Sequence, residues 1–417
     1  MRWSALLLNC VLSVIFMLMF FGCSMEQEPT YNRMGISKHI ERYVTTENER
    51  TIEKSLTAIV EVGEGSVPYI LDAWKDYESV EARCRLASAI DYIGPPAAPL
   101  VPFLLEELNE VDERRISCAA MALGGIGPAS APATEILGNL LRSTDYSTQA
   151  NLLYALGGIG PAASSQIPLM LEAADREQTS SIAISALGNM GEAAVEAVLP
   201  WLEDGDDAHR LRACQILSRM QGEDLVLVLT PLSIALRDDN PKVRIEAVKA
   251  LGAARTSAIP VYPSIVYALR DTDDEVREEI VQALISIGPI GGKELINALT
   301  DKYWRSREGA ARVIGTFSSL AETAKSTLIL RLDDSKVEVR LAVIRALSTL
   351  GPEVVDEMIQ QLKSGSVYRR FGGARVLGEI GPPAAAAIPE LQKLLNDKDV
   401  LIRSEAKNAI RSIVGDR

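Results

Sequence analysis

Two kinds of apolar stretch alternate along the chain, and both have the periodicity of an amphipathic helix. Residues 243–252 and 388–397 show one of each kind, with apolar side chains at three- and four-residue spacing. Between the two stretches of a unit stands a turn, often Ile-Gly-Pro, whose first three glycines are 33 residues apart. This tripeptide occurs at residues 93–95, 126–128, 159–161, 287–289 and 380–382. Two short helices cannot bury their apolar faces alone, so the pattern predicts about ten stacked helix pairs.

Glycine and proline give each turn a physical reason. Glycine tolerates the left-handed backbone that ends the first helix, and the following proline cannot continue a helix. Several second helices carry proline in the first turn, where no hydrogen bond is lost. These prolines are Pro68, Pro102, Pro168, Pro263 and Pro389. Two units depart from the pattern, at residues 220–222 and 316–318, and we expect the superhelical curvature to change there.

The units share the consensus AxxALGxIGPxA, followed by IPxLxxxLxD. This pattern resembles HEAT repeats, specifically those of the phycobilisome-lyase type. The resemblance covers residues 48–417 and implies an all-α fold, an α-solenoid with a right-handed superhelix of about ten helix pairs. Residues 400–417 would form a C-terminal capping helix. The motif is specific for the fold and says little about chemistry.

The first 23 residues have the pattern of a targeting segment. Arg2 precedes a mostly apolar run over residues 5–21, and a polar segment follows Cys23. Residues 20–23, Phe-Phe-Gly-Cys, resemble the lipobox of bacterial lipoproteins, which implies that Cys23 carries a diacylglyceryl group. Phe20 and Phe21 depart from the leucine and small residue usual in that family. The alternative is an uncleaved membrane helix at the short limit of a span.

We therefore divide the chain into a lipoprotein signal peptide (1–23), a flexible polar tether (24–47) and the solenoid (48–417). Either interpretation of the leader predicts an exported protein anchored to a membrane of the cell envelope. For a lipoprotein, this is the outer membrane if the cell has one.

Arginine recurs near the start of the first helix in most units. The column comprises Arg83, Arg210, Arg244, Arg277, Arg307, Arg340, Arg370 and Arg403, and Ile116, Gln149 and Ser180 interrupt it. Four residues before some of these arginines stand Asp206, Asn240, Asp273 and Asp399. The column is either a basic stripe that binds phosphate or an acidic peptide, or an Asp–Arg ladder that holds the loops between units. We favour the ladder, because one guanidinium can satisfy several acceptors.

The sequence offers little chemistry. A formal net charge of −13 argues against general nucleic-acid binding, which needs cations to displace phosphate counterions. The only histidines, His39 and His209, stand outside any motif, and we interpret both as solvated. We interpret Cys84, Cys118 and Cys214 as small core residues and expect no dependence on disulfides. We expect no metal and no cofactor.

Two glycine pairs, at residues 124–125 and 157–158, precede Ile-Gly-Pro turns. We interpret them as positions where helices pack closely, not as phosphate-binding loops.

Two enzyme families carry similar repeats. Deoxyhypusine hydroxylase binds iron through His-Glu dyads, which are absent here because Ile40 follows His39 and Arg210 follows His209. Bilin lyases act inside the cell, which fits poorly with an export leader.

What remains is a surface for binding. Tyrosine and tryptophan are enriched at binding hot spots, so the candidate partner-binding residues on or beside second helices are Tyr69, Trp74, Trp201 and Tyr267. Each could equally pack against a neighbouring unit. We expect a membrane-anchored scaffold that binds protein partners and has no catalytic residues. The alternatives are an oxidoreductase or lyase related to those enzyme families, and a carrier or sensor with a small ligand in its groove.

Overall fold

A computed structural model describes residues 28–220 and 222–415. The described residues are mainly helical, with one short hairpin, and they form two compact units, Met1–Ala162 and Ala163–Arg417. The leader, including Cys23, lies outside the described residues, so the signal peptide and the lipid anchor stay predictions. Within each unit, helices in antiparallel pairs stack on one another. The predicted class, an all-α fold of the α-solenoid type, is confirmed.

The first unit begins with a hairpin of β1 (Thr30–Tyr31) and β2 (Met34–Gly35), paired in antiparallel register. Asn32 and Arg33 have positive φ, as a two-residue type I′ turn requires. The helices that follow are α1 (Ile36–Thr45), α2 (Glu49–Val62), α3 (Val67–Asp76), α4 (Val80–Ile93), α5 (Val101–Glu107), α6 (Glu113–Ile126), α7 (Thr134–Leu141) and α8 (Tyr146–Ile159).

Helix α1 corrects the predicted tether. Residues 36–45 are helical, because apolar side chains recur four, seven and eight residues after Ile36. Ile36, Ile40 and Tyr43 are buried, and α1 packs on α2. The guanidinium of Arg85 in α4 donates to the carbonyl oxygens of Tyr43 and Thr46 at 2.9 and 2.6 Å. Helix α1 therefore belongs to the packed part of the first unit, and only residues before the hairpin remain candidates for a tether.

The second unit contains the remaining helices. They are α9 (Ile167–Ala174), α10 (Ser180–Leu187), α11 (Glu192–Asp204), α12 (Asp207–Leu217), α13 (Leu229–Ala235), α14 (Pro241–Ala253), α15 (Tyr262–Ala268), α16 (Asp274–Ile287), α17 (Gly292–Ala298), α18 (Trp304–Gly315), α19 (Ser318–Arg331), α20 (Val337–Ser348), α21 (Val355–Leu362), α22 (Val367–Ile380), α23 (Ile388–Leu394) and α24 (Val400–Val414). The first helices of successive pairs form one layer, the second helices form the other, and the apolar core lies between them.

Most turns within the helix pairs contain the predicted glycine with positive φ, but its backbone conformation differs from the predicted left-handed helical one. Gly94 and Gly127 end α4 and α6 with φ of 74° and 80°. Their ψ values, −141° and −139°, lie outside the left-handed helical region, in backbone space that is strained for residues with a Cβ. The turn after α14 has no glycine, and Arg255 takes the positive φ there. The predicted prolines do stand in the first turn of α3, α5, α9, α15 and α23.

The glycine pairs allow close helix packing, as predicted. A Cβ added to Gly158 in α8 would lie 2.2 Å from the carbonyl oxygen of Gly124 in α6. The missing side chain of Gly124 also leaves room for the ring of Tyr154. That ring crosses α6, and its hydroxyl donates to the Asp91 carboxylate in α4 at 3.0 Å. These glycines therefore allow the first helices of neighbouring pairs to pack in close contact.

Candidate partner-binding groove

The arginine column holds the loops of the second unit together. Arg307 at the start of α18 donates through Nε and Nη2 to both carboxylate oxygens of Asp334, at 2.6 and 2.7 Å. Its Nη1 donates to the carbonyl oxygens of Asp301 and Lys302, at 2.8 and 3.2 Å. Four arginines make this double contact, to a carboxylate of the next pair and to carbonyls of their own loop: Arg210, Arg244, Arg307 and Arg370.

The carboxylates of this Arg–Asp ladder are Asp238, Asp271, Asp334 and Asp397. Each also offers its backbone carbonyl to the next arginine of the column, as Asp334 does to Arg340 at 2.7 Å. Burial by itself raises the pKa of Asp334. The hydrogen bonds from Arg307 and from the Lys336 N–H outweigh burial and hold that pKa below its usual value. Each ladder aspartate thus joins two consecutive loops.

The structure confirms the ladder and corrects its predicted acidic partners. Asp206, Asn240, Asp273 and Asp399 are N-caps, whose side chains accept from backbone N–H groups at the start of the following helix. Four members of the column lack a ladder aspartate: Arg83, Arg277, Arg340 and Arg403. Arg340 instead stacks on the ring of Tyr368, 4.0 Å from its centroid, and Arg277 pairs with Asp274 of its own helix. A free basic stripe is excluded for the four ladder arginines.

An open groove runs along the second helices α13, α15 and α17. Three neighbouring depressions of about 580, 350 and 530 Å³ share lining residues and so form one surface. We name this surface the Tyr267 groove and define it by Pro231, Ile234, Arg237, Ser264, Tyr267, Arg270, Asn297 and Lys302. Other side chains of the same helices, such as Leu232, Ile265 and Leu295, are buried in the core.

Tyr267 lies at the centre of the groove and is 50% exposed. Two guanidiniums flank its ring, that of Arg270 at 4.0 Å and that of Arg237 at 5.3 Å from the centroid. Arg270 is also held by Asp301, with Nη2 2.7 Å from the carboxylate. Ile234 is 69% exposed on α13, at the equivalent position one pair earlier. The centre of the groove is therefore an aromatic ring between cations, with an apolar neighbour.

Cation–aromatic pairs continue beyond the groove along the same row of loops. Lys302 lies 4.8 Å from the centroid of Tyr303, and Arg305 lies 4.8 Å from that of Trp304. Lys336 lies 5.9 Å from the centroid of the same Trp304 ring. Such pairs keep aromatic rings at the surface in fixed orientations.

The other three candidate anchors are placed differently. Trp74 is 4% exposed and lies under the guanidinium of Arg83, so it is a packing residue and the hypothesis of an exposed anchor is wrong for it. Tyr69 is half-buried in α3, and Trp201 is half-buried against the ring of His209. The structure does not bring these residues together with Tyr267 in one groove.

The histidines differ from the predicted solvated pair. His39 is 8% exposed, and its Nε2 lies 3.2 Å from the carbonyl oxygen of Tyr31, where it supports the hairpin. His209 is partly exposed, with Nδ1 2.9 Å from Asp206 and Nε2 3.5 Å from Asp175. Within the described ranges, no three His, Cys, Asp or Glu side chains are grouped to hold a metal ion.

The cysteines also correct the prediction. Cys84 and Cys118 form a disulfide that links the first helices α4 and α6 of consecutive pairs. Sequence reasoning missed this bond, because the two residues are 34 positions apart without a recognisable motif. Cys214 is buried in α12, as expected, and burial raises the pKa of its thiol to about 12.

Comparison with known proteins locates the repeats. The family model described as HEAT repeats matches residues 228–291 and 292–370, about a third of the chain. These segments are HEAT repeats. They include the whole Tyr267 groove as defined above. No curated protein matches the chain.

Among solved structures, an engineered protein is similar with 20% identity and a TM-score of 0.31, covering 92% of this chain and 99% of its own. The karyopherin Kap121p, bound to the extreme C-terminus of the phosphatase Cdc14p, has 14% identity and a TM-score of 0.49 over 91% of this chain. Kap95p, solved with RanGDP, has 14% identity and a TM-score of 0.45. The chain spans 49% of the first karyopherin and 60% of the second.

One helical stretch among the described residues, Glu113–Leu141, is long and apolar enough to cross a membrane, but 56% of its most apolar window is buried. It consists of α6, α7 and the turn between them, so its apolar side chains belong to the core of a repeat.

Proposed function

We propose that the protein is a membrane-tethered scaffold without catalytic activity of its own, and that it binds a protein partner along the Tyr267 groove. The observation that carries this proposal is an open groove whose central aromatic side chain is half exposed between two arginines. Solenoids of this kind present extended faces for binding. Tyrosine and arginine are also the residue types that dominate binding energy at protein interfaces.

The register of the exposed side chains supports this choice of surface. Ile234, Tyr267 and Leu330 are 69, 50 and 54% exposed, and each stands four residues before an aspartate of the inter-pair loops. Stacking does not bury this position, whereas the ladder and the core occupy the neighbouring ones. Apolar side chains that recur in water at one position indicate a surface that gains free energy when a partner covers it.

Export and membrane attachment are proposed from the leader and from the disulfide. The Phe-Phe-Gly-Cys sequence at residues 20–23 is the basis for the anchor at Cys23. The Cys84–Cys118 bond supports an oxidising compartment, since disulfides persist outside the reducing cytosol. A Cys23→Ala variant is expected to leave the membrane fraction on cell fractionation. If it stays there, the leader itself is the anchor.

Affinity capture from detergent-solubilised envelope tests the proposed function. The full chain and a Tyr267→Ala variant serve as baits, with Tyr146→Ala as the matched control. Tyr146 is a tyrosine of similar exposure, 55%, on the first helix α8. We expect one partner to be retained by the wild type and by Tyr146→Ala and to be lost with Tyr267→Ala. Equal capture by all three, or no specific protein, would contradict the groove. Stoichiometric iron in the pure protein would contradict a non-catalytic scaffold.

A further inference from the structure

We infer that the partner enters the Tyr267 groove as an extended segment rich in acidic residues. This inference rests on the proposed protein-binding function and names the chemistry of its partner. The inference rests on a contrast between the charge of the whole chain and the charge near Tyr267. The chain has a formal net charge of −13, yet two cations that line the Tyr267 groove, Arg237 and Lys302, and a third beyond it, Lys336, have no carboxylate partner in the described chain.

All three of these cations stand beside aromatic rings. Arg237, Lys302 and Lys336 have no carboxylate partner within the described ranges. They are exposed, and each lies within 6 Å of a ring centroid, at Tyr267, Tyr303 and Trp304 respectively. An aromatic ring beside a cation holds the charged group in one orientation and supplies apolar surface. This combination suits an acidic side chain, which has a carboxylate on a short carbon chain.

The carboxylates of the groove do not cancel this charge at its centre. Three aspartates that line it are already engaged, Asp238 by Arg210, Asp271 by Arg244 and Asp301 by Arg270. Glu203 and Glu294 also line the groove, but they lie in the two outer depressions and do not line the central one. The section between Arg237 and Arg270 is therefore the positive part of the groove.

The spacing of the helices determines how an acidic segment would fit. The axes of packed helices lie about 8–10 Å apart. An extended or polyproline chain advances about 3.1–3.3 Å per residue, so about three residues reach from one second helix to the next. A segment that crosses α13, α15 and α17 would thus present every third side chain to the groove, and acidic residues at that interval would meet the cations in turn.

Fluorescence anisotropy with the full chain in detergent tests the inference. The probe is a labelled peptide of repeated Glu-Pro-Pro triplets. Its comparisons are a peptide of the same composition with shuffled order and a peptide of Lys-Pro-Pro triplets. We expect the acidic triplet peptide to bind, and to bind about tenfold more weakly to an Arg237→Glu/Lys302→Glu variant. Arg345→Glu, on the exposed side of the first helix α20, changes the charge in the same sense and is expected to leave binding intact.

Each other outcome has a distinct meaning. Equal binding of the shuffled or the basic peptide, or an equal loss with Arg345→Glu, would overturn the inference. Binding to phosphatidylglycerol vesicles that needs Arg237 and Lys302, without peptide binding, would assign the cations to a membrane surface and overturn it as well. If a partner is captured in a Tyr267-dependent manner but the acidic peptide neither binds nor competes, the inference fails and the proposed function stands. Without such a partner and without peptide binding, both fail.

Discussion

Replacing Arg307 with alanine tests whether the Arg–Asp ladder stabilises the stack of helix pairs. The side chains of Arg307 and Asp334 are 10 and 2% exposed, and their two hydrogen bonds are short. In the variant, the Asp334 carboxylate stays buried. Its remaining partners are the Lys336 N–H at 3.0 Å and the Arg331 guanidinium at 3.8 Å.

The expected loss of unfolding free energy follows from that burial. Removing one partner of a buried ion pair costs about 3–5 kcal/mol. Because two partners of Asp334 remain, we expect the lower end, about 3 kcal/mol. For a unit of this size, this lowers the melting temperature by roughly 6–12 °C. Urea titration and thermal melting followed by helical circular dichroism measure both quantities.

Arg340→Ala is the matched control. Arg340 occupies the same position in the next pair and donates to the Asp334 carbonyl, but Ser364 stands where the other pairs have the ladder aspartate. Its removal leaves no buried carboxylate without its main partner, so we expect a loss of only about 1 kcal/mol. Equal losses in the two variants would refute the reasoning, because they would show that backbone contacts and packing carry the whole effect.

The ladder also sets the acid dependence of stability. The pKa of Asp334 is lowered in the folded protein, so its contribution is fully present above the unfolded pKa of about 3.9 and is lost as the pH falls through the folded value. The pKa values of Asp238 and Asp397 are lowered for the same reason, since hydrogen bonds from Arg210 and Arg370 outweigh burial. Stability should therefore decrease below about pH 4, with a shallower slope in an Asp334→Asn variant.

Three further predictions concern packing. Gly158→Ala should lower the melting temperature by several degrees, because its Cβ would meet the Gly124 backbone at 2.2 Å; an unchanged melting curve would contradict the close approach. Reducing the Cys84–Cys118 disulfide should cost about 3 kcal/mol of local stability, measured by hydrogen exchange in α4 and α6 with and without reductant. Tyr262→Phe should be neutral or stabilising in urea titration, because the Tyr262 hydroxyl is buried without a hydrogen-bond partner; a loss above about 1 kcal/mol would reveal a bond.

The features that could be predicted from sequence are local in the chain. The turn glycines, the prolines in the first turn and the Arg307 contact with its own loop all involve residues within about six positions of one another. Such features recur with the repeat, and each has its own steric or hydrogen-bonding reason. The fold class followed from them because stacking is the only way for short amphipathic helices to bury their apolar faces.

The features that could not be predicted depend on contacts between pairs. Arg307 and Asp334 are 27 positions apart, and the sequence alone does not distinguish Asp334 from the adjacent Asp333 as the partner. The sequence-based prediction instead paired the arginines with residues four positions earlier, which are N-caps. The disulfide joins positions 34 apart, close to but not equal to the repeat length. Helix α1 was not predicted, because polar and charged side chains outnumber the few apolar ones that form its buried face.

Of the four candidate anchors, Tyr267 alone lies at the centre of an open groove, and the reason is its register. It stands four residues before a ladder aspartate, at a position that the stacking of helices leaves in water. Trp74 stands nine residues before Arg83 of the next pair and is covered by it. The distance in sequence from the ladder aspartate distinguishes the exposed Tyr267 from the buried Trp74. That aspartate, however, could be identified only from the structure.

The repeat separates positions that serve the fold from positions that are free to serve a partner. Where the ladder occurs, its arginine and its aspartate are bonded to neighbouring loops, so their substitution should change stability far more than binding. The position four residues before the ladder aspartate is isoleucine, tyrosine, leucine and lysine at 234, 267, 330 and 393. Since the side chains of Ile234, Tyr267 and Leu330 are at least half exposed and lie outside the core, their contribution to folding is small. A variant such as Tyr267→Ala should therefore unfold with the wild type and yet bind differently.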